Sequence, residues 1–179
     1  MRIFFTFLFL TVLITPAFAQ EKTLLGEVHQ SSSFVGPIVK FTSLDNKVGV
    51  LVGGYGGVVY NNKFAIGVGG FGLVNRPEEH SIGYGGMLVE YIHNSANLSH
   101  FSCGFLIGAG GVERKENGVY RSKPVFVFEP EIKHMLNVTD GIRLGICASY
   151  RLMSGSNVSN SFYSNPTLGI IFKFVKSNS

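Results

Sequence analysis

The stretch "GIRLGICASYRL", residues 141–152, alternates along its length. Ile142, Leu144, Ile146, Ala148, Tyr150 and Leu152 fall on one face of an extended chain, and Arg143, Gly145, Cys147, Ser149 and Arg151 on the other. A period of two marks a β-strand, whose successive side chains point to opposite faces. The neighbouring segments repeat it. Residues 124–136 set Phe126, Phe128, Ile132 and His134 against Glu129, Glu131 and Lys133, and residues 163–174 set Leu168, Ile170, Phe172 and Phe174 against Gly169, Ile171 and Lys173. In a water-soluble sheet such an apolar face packs inward. In a transmembrane barrel it faces lipid, and the polar face fills the lumen.

Working outward, the chain after residue 33 divides into eight segments of strand length: 33–43, 48–60, 63–74, 81–93, 99–113, 124–136, 141–152 and 163–174. Between them lie "LDNK", "NN", "NRPEEH", "NSANL", "RKENGVYRSK", "NVTD" and "MSGSNVSNSF". These are rich in Asn, Asp, Ser, Gly and Pro, the residues that favour turns. The connections after segments two, four and six are short, and those after three, five and seven are longer. That asymmetry fits short periplasmic turns and longer outer loops. The connection after segment one is short and does not fit. The predicted fold is all-β: an eight-stranded antiparallel up-and-down (meander) transmembrane β-barrel.

The opening "MRIFFTFLFLTVLITPAFAQ" has one basic residue, an apolar run from Ile3 to Ile14, and "AFA" before Gln20. This is the pattern of a secretory signal peptide cleaved after Ala19. The expected organisation is a signal peptide at 1–19, an N-terminal periplasmic segment at 20–32, the barrel at 33–174 and a tail at 175–179. Of 15 basic residues one lies in the leader, leaving 14 against 11 acidic ones, a net charge of +3. So mild an excess argues against nucleic acid as a partner. With 45% hydrophobic residues and 23 glycines, the chain is unusual for a secreted globule, and no later segment offers the ~18 consecutive apolar residues of a membrane helix.

"AIGVGGFG" (65–72) contains Gly67, Gly69 and Gly72 in the spacing of a dinucleotide-binding loop. That reading requires a helix opening at the glycines. The next residues, "LVNRPEEHSIGYGG", place no apolar side chains at helical spacing, and similar glycine clusters recur at 52–57, 83–86 and 108–111. Glycines in a narrow wall, where interior positions must be small and strands coil sharply, account for all four.

The ending "TLGIIFKF" (167–174) resembles the C-terminal β-signal of bacterial outer-membrane barrels: polar Thr167, Gly169 two positions on, apolar Phe172 and aromatic Phe174. It departs from that pattern in the five residues, "VKSNS", beyond Phe174. The region 48–151 also resembles a family of small outer-membrane β-barrel proteins of Bacteroidetes-like bacteria, through "GYGGMLVEYI", "HFSCGFLIGAGGV", "FEPEIKHMLNVT" and "ASYR". The resemblance implies the fold and an envelope location, and no particular activity. It also implies the outer membrane of a Gram-negative bacterium, with barrel-assembly machinery as a partner.

Glu90, Glu129, Glu131, Lys133, Arg143 and Arg151 are the candidate interior polar network, with Glu131 expected to pair with Lys133, Arg143 or Arg151. Unpaired charge in a narrow lumen is costly. A salt-bridge plug is the structural role of such a set, and a proton or small-ion path the functional one. His100 and Ser102, with Glu113 eleven residues later, resemble the His-x-Ser and glutamate of outer-membrane lipid A deacylases, also small barrels. By parity, however, His100 and Ser102 point into the lumen. Glu113 has the other parity and lies ~35 Å along the strand. Cys103 and Cys147 fall on non-adjacent strands and opposite faces, so free thiols are expected. No cofactor is implied, and no metal-ligand spacing is present. The basic connection "RKENGVYRSK" leaves two readings open, contact with lipopolysaccharide phosphates or an ordinary solvated loop. The expected function is a structural or surface-interaction role for a monomer in outer-membrane lipid, without catalysis. The alternatives are a lipocalin-like soluble barrel with its apolar face inward, and a lipid-modifying enzyme.

Overall fold

Asn61 and Asn62 both adopt positive φ, 51° and 55°, and Lys63 N donates to Tyr60 O at 3.0 Å. Positive φ at both central positions makes the mirror-image turn whose twist matches a right-handed hairpin, and asparagine tolerates it better than most residues. That turn joins β2 (Lys47–Tyr60) to β3 (Phe64–Leu73). The same end of the molecule carries a turn opened by Asn94 at φ 52°, between β4 (His80–His93) and β5 (Ser99–Glu116). It also carries a turn in which Thr139 Oγ1 accepts from Gly141 N and Ile142 N, between β6 (Val119–Asn137) and β7 (Ile142–Ser154). With β1 (Ser31–Leu44) and β8 (Asn165–Asn178), these strands form a closed antiparallel barrel in meander order, β1 pairing with β8. In this computed structural model the described residues are 31–44, 47–75, 80–116, 119–155 and 163–178. The leader and most of the expected periplasmic segment lie outside them. We call the end with the three short turns and the strand termini of β1 and β8 the terminal end, and the opposite one the loop end.

The strands run further than the sequence suggests in two places. β8 continues past Phe174, with Val175 opposite Phe34 and Asn178 opposite Ser31, so most of the expected tail is barrel wall. The β5–β6 hairpin pairs Arg114 with Arg121, Lys115 with Tyr120 and Glu116 with Val119. Most of "RKENGVYRSK" is therefore ladder rather than loop. Its charges suggest a loop, whereas the Asn117-Gly118 dipeptide is the strongest short hairpin signal.

Outward positions form the apolar band. Ile146 is 60% exposed, Leu168 67%, Ile170 51% and Phe126 52%, with Phe172 and Phe174 also exposed and Phe128 and Leu144 half-buried. Exposed large apolar side chains occur on all eight strands, far beyond the patch a soluble monomer presents. This is the arrangement opposite to a lipocalin-like barrel. Near the terminal end the band carries aromatic pairs: Phe64 with Tyr91, ring centroids 5.3 Å apart, and Phe101 stacked on His134 at 4.6 Å. Ser99 Oγ lies 2.7 Å from His134 Nε2 at the same rim.

The faces of β2 and β3, illegible in sequence, are set by Leu51, Tyr55, Val59, Ala65, Phe71 and Leu73, all buried. The glycine triple of "AIGVGGFG" divides accordingly. A Cβ at Gly67, which faces inward, would overlap the Gly56 carbonyl and lie 2.9 Å from its carbon. A Cβ at Gly72, which faces outward, meets nothing within 4 Å. The first is needed for close strand approach and the last is not.

Candidate functional site: a charged ladder in the lumen

On β6 the two-residue period turns Glu129, Glu131 and Lys133 inward together. They meet Lys40 from β1, Glu90 from β4 and Lys173 from β8. Lys40 Nζ lies 2.7 Å from Glu129 Oε1 and 3.6 Å from Glu131 Oε2. Lys133 Nζ lies 2.5 Å from Glu131 Oε1 and 2.7 Å from Glu90 Oε2. Lys173 Nζ lies 3.3 Å from Glu90 Oε1. The order Glu129–Lys40–Glu131–Lys133–Glu90–Lys173 therefore alternates in sign from the loop end towards the terminal end. None of the six side chains is more than 7% exposed.

Buried charge persists only where every group is paired and hydrogen-bonded. Tyr84 and Ser149 donate to Glu129 at 2.7 and 2.6 Å, and Ser149 is in turn bonded to Thr167. Each lysine also sits over an aromatic ring: Lys40 at 4.2 Å from the Phe71 centroid, Lys133 at 5.0 Å from Tyr55 and Lys173 at 4.7 Å from Phe34. A ring face attracts a desolvated cation. The rings come from β1–β3, Phe34, Tyr55 and Phe71, and half of the six charges from β6.

Of the three cations expected as partners of Glu131, Lys133 pairs with it, and Lys40 joins from β1. Arg151 is fully buried, yet Nε donates to the Tyr163 carbonyl at 3.1 Å and Nη2 reaches Thr42 Oγ1 at 3.5 Å. Arg143 is half-buried at the terminal end, and neither arginine forms an ion pair with a described carboxylate. The ladder's other two cations, Lys40 and Lys173, were missed. Lys173 shares a face with Gly169 and Ile171, so parity placed it inward without a partner. Lys40 is the one charge in "VGPIVKFTSL", and nothing local points from it to β6.

Of the segment that resembles an assembly signal, Thr167 is buried in the lumen and Gly169 also faces inward, while Phe172 and Phe174 face outward. A Cβ at Gly169 would come within 2.8 Å of both Cys147 Sγ and the Val39 carbonyl oxygen. His100 and Ser102 both face the lumen and are buried. Glu113 is exposed on the outer face, opposite Ser122. The structure does not bring these three together. Cys103 is exposed, Cys147 buried, and both are free. Among the described residues no group of three His, Cys, Asp or Glu side chains stands close enough to hold a metal ion.

No protein-family model matches the sequence, and no curated protein matches it. The barrel is similar to the crystal structure of Neisserial surface protein A (NspA), with a TM-score of 0.65 and 11% identity over 80% of this chain and 96% of that one. It is also similar to Ail, the attachment invasion locus protein of Yersinia pestis, with a TM-score of 0.55 and 13% identity over 82% of this chain and 98% of that one. Another structure of Ail, in complex with the heparin analogue sucrose octasulfate, superposes with a TM-score of 0.50 at 11% identity, over the same shares. At these identities the likeness is one of fold. The chain has the eight-stranded fold of small outer-membrane barrels.

Proposed function

We propose that this chain is a small outer-membrane barrel of a Gram-negative envelope, acting through its surface rather than by catalysis. The observation that carries the reading is the pairing of an outward apolar band with a sealed, fully paired charge ladder inside. Outer-membrane lipid solvates the first, and the second leaves eight strands without an aqueous bore. The terminal end, with its short turns, lies in the periplasm. The loop end lies outside, where the basic β5–β6 hairpin meets lipopolysaccharide phosphates. Residues 1–19 direct export and are removed, and "TLGIIFKF" is read by the assembly machinery.

The test is topological. Epitope tags inserted at 117–118 and at 61–62 are followed in a Gram-negative host by fractionation and by antibody labelling of intact cells. Both tagged chains should fractionate with the outer membrane, begin at Gln20, and be labelled from outside only at 117–118. Recovery in the soluble periplasm, or labelling at 61–62, overturns the assignment.

A further inference from the structure

Five buried side-chain polar atoms lack a hydrogen-bond partner among the described residues: Tyr55 OH, His100 Nδ1, Ser102 Oγ, Asn137 Oδ1 and Arg151 Nη1. Buried orphans are rare and costly, so a cluster of them marks something that completes the site. They are unevenly placed. Arg151 is at the loop end, whereas the other four lie in the terminal half of the lumen, on β2, β5 and β6. His100 and Ser102 are each 3% exposed and Tyr55 6%. Ser102 Oγ, without a well-aligned partner, sits beside the Glu90 carboxylate, to which it can also donate.

The charge there is also out of balance. Glu90 is shared between Lys133 and Lys173, and Lys133 takes Glu131 as well. Arg143 then adds a guanidinium that no described carboxylate meets. Lys173 reaches inward to 5.5 Å from the Tyr55 ring. A surplus cation at the terminal end, where Arg143 remains half-exposed, together with the free hydroxyl of Tyr55 and the free Nδ1 of His100, is complementary to negative charge and to oxygen acceptors.

We propose that the terminal mouth of the lumen is a binding site for a small tetrahedral oxyanion of the phosphate class. Arg143 and Lys173 supply its charge neutralisation, and Ser102, Tyr55 and His100 its hydrogen bonds. Asn137 Oδ1 can only accept and is not a ligand. Arg143, half-exposed, is the point of entry. Both a free periplasmic ion and a phospholipid headgroup carry this chemistry. His100, Ser102, Tyr55 and Lys173 face the lumen, away from the acyl chains, which selects the free ion.

The mature chain, refolded in a phosphate-free glycoside detergent with histidine rings labelled for NMR, is titrated with inorganic phosphate. Sodium chloride keeps the ionic strength constant. The His100 signal is identified by its loss in His100→Gln. It should move saturably with phosphate, while the other histidine signals stay put. In Arg143→Gln, which removes no ion pair and should fold, the apparent affinity should fall roughly tenfold or more, the size of one lost charge-assisted contact. A His100 signal that does not move, moves without saturating, or moves equally in Arg143→Gln overturns the site. If Arg143→Gln does not fold, the native titration alone decides. Movement on adding phosphatidylglycerol but not inorganic phosphate overturns the free ion.

Discussion

Lys40 shows how much one residue can decide. It is 1% exposed and lies between Glu129 and Glu131, over the face of Phe71. Lys40→Ala would leave Glu129 buried with only hydroxyl donors, and breaking such a pair by removing one partner costs roughly 3–5 kcal/mol. The midpoint of urea unfolding in detergent should drop accordingly. Arg143→Ala, which breaks no ion pair, should shift it by well under half as much. Equal shifts would mean that the ladder is solvated. Glycine offers a second comparison, inside one motif. Gly67→Ala drives a methyl group into the Gly56 carbonyl and should be strongly destabilising. Gly72→Ala meets open space and should be neutral, or stabilising by about 0.4–1 kcal/mol through the unfolded chain. Similar midpoints for the two would remove the packing explanation of the glycines.

At the level of the element, the prediction concerns β8. Phe174 ends the outward series Leu168, Ile170, Phe172, Phe174 near the terminal rim, with β8 continuing beyond it. Losing one exposed ring from lipid contact costs at most a few kcal/mol. Phe174→Ala is therefore expected to refold in detergent nearly as well as Phe128→Ala but to accumulate less in the outer membrane of cells. Equal cellular yields would make "TLGIIFKF" an ordinary strand. The elements were unevenly legible from sequence. β6, β7 and β8 could be read because Glu129, Arg151 and Lys173 contrast with apolar neighbours at a spacing of two. β2 and β3 could not be assigned a face, since glycine carries no polarity to alternate. The end of β5 was hidden by its own charges, which outside the apolar band are no obstacle to pairing. The ladder itself lay beyond parity. Parity says that Lys40 and Glu131 point inward, but the contact between β1 and β6 crosses the lumen and depends on how eight strands close.

For the whole molecule, closure around a filled interior predicts an electrically silent barrel. In planar bilayers the native protein should give no steady conductance level, and a stable open state would show that the ladder is not a plug. The ladder also has a distribution among strands. Its three carboxylates belong to β4 and β6, and two of its three lysines belong to β1 and β8, the strands whose pairing closes the barrel. Lys133 can meet Glu131 and Glu90 within β4–β6, but Lys40 and Lys173 reach their carboxylates from the two strands of the closing seam. The pairs of Lys40 and Lys173 are therefore expected to form with closure and to belong to the native state more than to the path towards it. Weakening them should hasten unfolding while leaving the refolding rate almost untouched. The barrel would owe its ladder less for how it forms than for how long it stays shut.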